Sequence, residues 1–257
     1  AASAPKMDLQ QFLETQLFAM ILVFARIGAA LLFMPGFGEQ TIPIRYRLAL
    51  ALALSAGLMP ATPVASVTAG VSDLPVLALV TEITIGLWIG LTARILLSAL
   101  QFAGYQVGLV AGLSNAFAPS QGSFEGSTMI ASGMLMAGIA LIFATDLHHM
   151  IIIALLMTYE VFPVGQVPVG DLAEQIIMAA SKSFYIGVAI TAPFYVMGLI
   201  LNLGLGLANR MMPTLPVFFV AVPVLLFFGL LVLAISAAPA LSGFLQAFAE
   251  WLSTLTF

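Results

Sequence analysis

Three charged residues stand inside apolar runs, and they are the side chains best placed to do chemistry in this chain. Arg26 falls in the run from Phe12 to Met34, whereas Glu82 and Arg94 fall in the run from Leu74 to Leu100. An ionised group at the centre of a bilayer costs about 2.5–3.5 kcal/mol on translocon-based scales. Each is therefore either a functional group, such as a proton relay or substrate site, or a structural one. The structural alternatives are half of a buried ion pair, or an arginine that reaches the interface, and either fixes how helices associate.

The structural interpretation is favoured for these three residues. Glu82 and Arg94 lie about 18 Å apart along one helix at 1.5 Å per residue, so they cannot pair with each other. A proton relay normally needs several polar groups in series, and this run offers one carboxylate. We therefore hypothesise that Arg26 and Glu82 meet across two helices as a buried pair.

The two histidines of the chain stand beside an acidic residue, in the segment Asp146, His148 and His149. A metal centre needs at least three convergent ligands, and adjacent residues of a helix point to different faces. The sequence therefore predicts no metal here. Cysteine is absent, which excludes thiolate ligands and cysteine nucleophiles. No Ser-His-Asp arrangement is legible either, so nothing favours an enzyme, and no cofactor is predicted.

The composition is that of a membrane protein. Of the 257 residues, 62% are hydrophobic and 7% are charged, whereas a soluble domain carries about 25% charged residues. The chain is therefore an integral membrane protein, or a subunit whose apolar faces are covered by partner subunits. The seven basic residues form no cluster typical of nucleic-acid binding.

The apolar runs predict an all-α fold, because backbone exposed to lipid must satisfy its own hydrogen bonds and the alternation of a membrane barrel is absent. Leu48 to Leu58 is too short to span a bilayer, which takes about 20 residues, and suggests half of a hairpin or a shallow helix. No linker divides the chain, so we expect one helical domain over residues 7–257, with residues 1–6 a possible leader or addition. The basic pair near residue 45 favours a cytoplasmic side but leaves topology open. The remaining runs are Met129 to Thr145, Met150 to Phe162, Phe184 to Ala208 and Val217 to Phe248.

The middle of the chain changes character. Gly104, Gly108 and Gly112 recur every four residues, a spacing that lets another helix approach closely and predicts a face that needs a partner helix. The segment from Ser114 to Gly122 has no helical period and indicates an exposed or pore-lining loop.

Several segments, collinear over Met7 to Trp251, resemble the FliR family of flagellar export-gate proteins, which is related to the SpaR/YscT proteins of virulence secretion. The segments are Arg26 with Pro35-Gly36-Phe37-Gly38, Ile42 to Leu50, Glu82 to Gly86, Tyr105 to Gly108, His148 with Phe162 to Gly165, Gly204 to Pro213, Val217-Phe218 and Pro223. The sequence alone does not separate the flagellar from the virulence branch.

The resemblance implies a subunit of the flagellar type III export gate, built from helical hairpins with a FliP-like N-terminal half (about 7–165) joined to a FliQ-like C-terminal half (166–257). With FliP and FliQ homologues it would form the inner-membrane channel through which unfolded flagellar proteins are secreted. Further implied partners are an FlhB-like subunit, rod or hook-basal-body proteins and membrane lipid. The implied location is the flagellar basal body in the inner membrane, with parts of the assembly on the periplasmic side.

The resemblance also assigns roles to particular residues. The central loop is similar to the family's plug, which helps block the channel at rest, and its candidate residues are Ser114, Asn115, Phe117, Pro119, Gln121 and Phe124. The candidates for assembly and packing are Arg26, Glu82, Gly104, Gly108, Gly112, Arg210 and Pro213. The alternative function is a proton-coupled small-solute permease with Glu82 as the coupling residue, although no inverted repeat supports it.

Overall fold

The computed structural model describes residues 9–39, 41–64, 75–112, 125–166, 169–211 and 217–254. In these ranges no residue lies in a β-strand, which confirms the predicted all-α fold. The helices are α1 (Leu9–Leu31), α2 (Ile44–Leu58), α3 (Pro75–Val110), α4 (Glu125–Ala144), α5 (Leu147–Val161), α6 (Val169–Met211) and α7 (Val217–Thr254), with a 3-10 turn at Met59–Ala61 after α2.

The Pro-Gly segment ends α1 in the way that the sequence indicates. The carbonyl of Met34 accepts hydrogen bonds from the amides of Phe37 (3.2 Å) and Gly38 (2.9 Å). Gly36 has φ 79°, a left-handed conformation that favours glycine. A Cβ at Gly38 would collide with the carbonyl oxygen of Leu32. This close turn therefore requires glycine.

The helices extend beyond the predicted runs, and α2, α3 and α6 are examples. α2 begins at Ile44, directly after Pro43, and α3 continues past Gly104 and Gly108 to Val110. α6 begins at Val169, well before the predicted start at Phe184. Glycine costs about 1 kcal/mol in a helix interior relative to alanine, but close packing against another helix offsets that cost in α3. The predicted break near residue 146 is present, between α4 and α5.

The chain divides into two compact units, each built from separate segments. Unit 1 comprises residues 1–94, 146–178 and 250–257, and unit 2 comprises residues 95–145 and 179–249. Unit 1 contains α1, α2, α5 and the first part of α3. Unit 2 contains α4, the second part of α3 and most of α6 and α7, with a core that includes Val107, Ala111, Phe194 and Met197. The division into FliP-like and FliQ-like halves stays a prediction.

Within the described ranges, four helices are long and apolar enough to cross a membrane, namely α1, α3, α6 and α7, or five if α4 and α5 are one interrupted span. This confirms the prediction of a membrane protein. The four differ in how far the chain itself covers them: the share of buried residues in the span is 56% for α3 but 28% for α6 and 11% for α7. The last two helices therefore leave many large apolar side chains exposed, available to lipid or to other subunits.

Candidate functional site

A fully buried ion pair joins α1 to α3 in unit 1. Arg26 Nε lies 2.7 Å from Glu82 Oε2, and Arg26 Nη2 lies 2.8 Å from Glu82 Oε1. Both side chains have zero solvent exposure. This bidentate geometry matches the fork of the guanidinium to the two carboxylate oxygens. The predicted contact between Arg26 and Glu82 is confirmed, and its role in assembly stays a prediction.

The same arginine also holds the C-terminal end of α5. Arg26 Nη1 donates to the carbonyl of Thr158 at 2.9 Å, and Nη2 donates to the carbonyl of Phe162 at 2.9 Å. The guanidinium carbon lies 3.9 Å from the ring centroid of Tyr159, a cation–π contact. A helix C-terminus carries partial negative charge on its unpaired carbonyls, which a cation stabilises. We name these four residues, together with Glu82, the Arg26 cluster; it joins α1, α3 and α5.

The chemistry of the Arg26 cluster is that of a fixed clamp. Arginine stays protonated in proteins and accepts no hydrogen bond, and both oxygens of Glu82 are engaged by it. The buried serine and threonine hydroxyls in the described part of unit 1 donate to backbone carbonyls three or four residues earlier and form no relay. They are Ser55, Thr62, Thr81, Thr92 and Thr158.

Close approach of α1 and α3 brings the two charges together. A Cβ at Gly86 would collide with the carbonyl oxygen of Arg26, and one at Gly90 with that of Ala30. Gly86 and Gly90 are four residues apart, the small-residue spacing of helix pairs in membranes. Sequence analysis missed this pair, although its spacing is legible in the printed sequence.

Trp88, on the same stretch of α3, adds a contact to the start of α6. Its Nε1–H donates to the carbonyl of Leu172 at 3.0 Å. Its ring meets that of Phe162 edge-on, with centroids 5.5 Å apart. Because Phe162 also accepts a hydrogen bond from Arg26 through its carbonyl, the packing of Trp88 on the Phe162 ring helps to hold this part of the Arg26 cluster in position.

The glycine stripe of α3 contacts the chain itself, which corrects the expectation of a face that needs a partner helix. In unit 2, a Cβ at Gly104 would lie 2.5 Å from the Cα of Ala131 on α4. Gly108 is also buried, and Gly112 lies just after α3 with φ 68°. The spacing indicated close approach correctly, but the approaching helix at Gly104 is α4 of the same chain.

The other predicted residues are placed as follows. Arg94 Nη1 pairs with Glu39 Oε1 at 2.5 Å, with both side chains partly exposed. Arg210 is exposed in the last turn of α6, where a cation favours the helix dipole. Pro213 and all six candidate plug residues lie outside the described residues.

The histidine segment differs from expectation. Asp146 begins α5 in a left-handed conformation, with φ 59°. One possible ligand atom from each of Asp146, His148 and His149 lies within 4.8 Å of the others. The expectation that adjacent histidines diverge is therefore wrong here. The contact that forms is an ion-pair distance of 3.7 Å between His149 Nδ1 and Asp146 Oδ1, both in exposed side chains.

These features define a class: an all-α membrane protein whose buried charges serve to hold helices together. Residues 17–251 match the family described as bacterial export proteins, family 1. Curated relatives carry the name flagellar biosynthetic protein FliR. The chain is 38% identical to that of Caulobacter vibrioides over 86% of this chain and 89% of the relative. It is 30% identical to the relative from Escherichia coli, over 87% of this chain and 84% of the relative. It is 28% identical to the relative from Aquifex aeolicus, over 87% of this chain and 86% of the relative.

The chain belongs to the FliR family of bacterial export proteins, as the resemblance predicted. Its role is therefore in flagellar export, as a membrane component of the export apparatus.

Proposed function

We propose that the chain is a subunit of the flagellar type III export gate and forms, with FliP and FliQ homologues, the inner-membrane channel for unfolded flagellar proteins. An FlhB-like subunit and rod or hook-basal-body proteins adjoin it. Parts of the assembly lie on the periplasmic side of the bilayer, in the flagellar basal body.

The uncovered apolar surface of α6 and α7 is the observation that carries this proposal. On each helix, large apolar side chains four residues apart stay exposed. Such stripes fit other helices as well as lipid. They are Leu199, Leu203 and Leu207 on α6, and Phe227, Leu231 and Ile235 on α7.

Glycines within the exposed face of α6 favour helices over lipid as its neighbours. A Cβ at Gly204 or Gly206 would meet nothing within 4 Å. A glycine in a helix interior lowers stability and gives lipid no packing advantage. Small residues do let a partner helix approach closely in a membrane. Partner subunits packed on this face account for both features.

The sequence predicts a plug from Ala111 to Gly126. Because Ala111 is buried in the core of unit 2 and α4 begins at Glu125, we propose the intervening residues 113–124 as the plug of this channel. This stretch contains no charged residue, so it offers few groups to hold a ligand. Phe117 and Phe124 supply apolar bulk that can fill a narrow lumen, and the glycine of this stretch permits large backbone changes. A gate for unfolded polypeptide needs this combination, because it must seal at rest yet yield without sequence preference.

Co-purification tests the proposal. The tagged chain is expressed with and without its FliP-like and FliQ-like partners and extracted in mild detergent. We expect a large complex with the partners, and aggregation or instability without them. A stable monomer or homo-oligomer that supports secretion of flagellar subunits without those partners would refute the proposal.

A variant pair on α6 sharpens the test. Gly204→Phe adds a side chain at an exposed position where a Cβ has no atom of the described chain within 4 Å, so the chain should fold but lose the complex. Gly204→Ala is the matched control and should retain it. Equal complex yields for the two variants would argue against partner helices on this face.

A small-solute permease is the second candidate, because Glu82 is a carboxylate buried within a candidate span. Its engagement by Arg26 through both oxygens argues against proton coupling, which needs a carboxyl group that releases its proton readily. Glu82→Gln that assembles normally but loses proton-dependent transport of a small solute would favour the permease.

A further inference from the structure

A groove in unit 1 runs between α1, α2 and α3. Its cavity has a volume of about 670 Å³, within the range of about 300–1,000 Å³ found for small-molecule sites. The wall is apolar, and part of it is exposed to the exterior. It includes Phe24 and Gly28 of α1, Leu48 of α2, and Ile83 and Leu87 of α3.

The groove exists because α2 packs through few residues. Only Ala51 and Ser55 of this helix are buried, and both are small. Its large apolar side chains, among them Leu48 and Leu52, stay exposed. A helix that buries so little apolar surface gains little from the hydrophobic effect, so an apolar occupant of the groove would complete its packing.

One charged side chain, Arg47 of α2, lines the groove. Its Nε is buried and has no hydrogen-bond partner within the described part of the chain. None of the described residues that line the groove is acidic. A buried donor without a partner lowers the stability of the folded chain. An anionic acceptor from outside the chain, bound to Arg47, would remove that cost. By contrast, Arg26 and Arg94 both have carboxylate partners.

We propose that this groove binds an anionic phospholipid, with an acyl chain along the apolar wall and the phosphate on the guanidinium of Arg47. Guanidinium groups bind phosphate through two parallel hydrogen bonds, and basic pockets between membrane helices bind lipid headgroups. Exposed Arg45 and Tyr46 stand next to Arg47 at the start of α2. Basic and aromatic residues of this kind are typical of the membrane–water boundary, where phosphates lie. A partner helix bearing a carboxylate is the competing occupant.

Native mass spectrometry tests this proposal on the full chain, extracted from membranes in mild detergent with the subunits that it retains. The probes are phosphatidylglycerol and the zwitterionic phosphatidylethanolamine. We expect phosphatidylglycerol to be retained in preference. Arg47→Gln should weaken that retention about tenfold, the size expected for one lost charge-assisted hydrogen bond. Arg45→Gln removes the same charge two residues away, outside the groove lining, and should weaken retention far less than Arg47→Gln. Arg47→Lys should retain part of the preference.

A second pair of variants tests the apolar wall. Leu48→Trp should fill the groove and expel the acyl chain, whereas Leu52→Trp, on the same helix but outside the lining, should not. This pair decides the question if Arg47→Gln fails to fold. Three outcomes would each overturn the proposal. They are equal retention of phosphatidylglycerol by Arg47→Gln and Arg45→Gln, equal retention of the two lipids, and a photocrosslink from position 48 to a protein subunit rather than to lipid.

Discussion

Neutralising Glu82 is the sharpest perturbation that this structure offers. In Glu82→Gln the side chain keeps its shape, but one of the two acceptors facing Arg26 becomes an amide that can only donate. Arg26 then keeps its charge with zero solvent exposure and with the two α5 carbonyls as its main acceptors. Removing one partner of a buried pair costs about 3–5 kcal/mol. That cost lowers the ratio of folded to unfolded chain by roughly two to four orders of magnitude.

Removing the arginine should cost more than removing the carboxylate. Arg26→Met leaves the Glu82 carboxylate buried without its partner, and it also takes the side-chain donor from the carbonyls of Thr158 and Phe162. The double variant Arg26→Met/Glu82→Gln removes both charges, so neither side chain is left as an uncompensated buried charge. Its loss should therefore fall short of the sum of the single losses, by about 0.5–3 kcal/mol for residues in direct contact.

The assay is unfolding of the purified full chain in mixed micelles, titrated with a denaturing detergent and followed by far-UV circular dichroism. Glu39→Gln is the matched control, because Glu39 also pairs with an arginine, Arg94, but with both side chains partly exposed. An exposed pair contributes about 0–1 kcal/mol and weakens with salt. The reasoning is refuted if Glu82→Gln is no worse than Glu39→Gln, or if the single losses add fully in the double variant.

Three further outcomes are expected. Gly104→Ala should lower the free energy of unfolding by about 1–3 kcal/mol in the same assay, because its Cβ meets the backbone of α4. The control Gly133→Ala, where a Cβ on α4 has open space, should be neutral or stabilise the chain by up to about 1 kcal/mol. Equal effects of the two variants would contradict the close approach of α3 and α4. Tyr159→Phe should leave stability unchanged or raised, because it keeps the ring over Arg26 and removes a hydroxyl that has no hydrogen-bond partner among the described residues; a loss above about 1 kcal/mol would reveal such a partner. Deleting Ser114 to Ser123 in the assembled complex should raise resting ion conductance in planar bilayers while secretion continues, and unchanged conductance would locate the seal elsewhere.

The sequence predicted the fold class and the central ion pair for one reason. In lipid, backbone amides and carbonyls have no water to bond to, so the apolar runs must form helices that satisfy their own hydrogen bonds. For the same reason a buried charge such as that of Arg26 requires a partner of opposite charge. The second set of partners of Arg26, the carbonyls of Thr158 and Phe162, could not be predicted from the sequence. Every residue carries a backbone carbonyl, so the residue type does not indicate which carbonyl accepts a hydrogen bond. The same holds for Leu172, which accepts from Trp88.

Spacing alone predicted close contact but not its partner. The stripe containing Gly104 indicated that some helix approaches α3, and only the fold shows that this helix is α4. Helix ends were missed for a related reason: Gly104 and Gly108 lower helix propensity, yet packing carries α3 to Val110. At Asp146, a left-handed backbone redirects the chain and brings its carboxylate towards the histidines, which helical periodicity cannot anticipate.

The order of the Arg26 partners along the chain has a consequence for biogenesis. Glu82 follows Arg26 by 56 residues and Thr158 follows it by 132. At about 5–20 residues per second, the ribosome supplies the carboxylate some 3–11 s after the arginine. During that interval α1 is a nascent span with an uncompensated charge. We therefore expect α1 to remain at the insertion machinery until α3 emerges, so that the two helices enter the bilayer together.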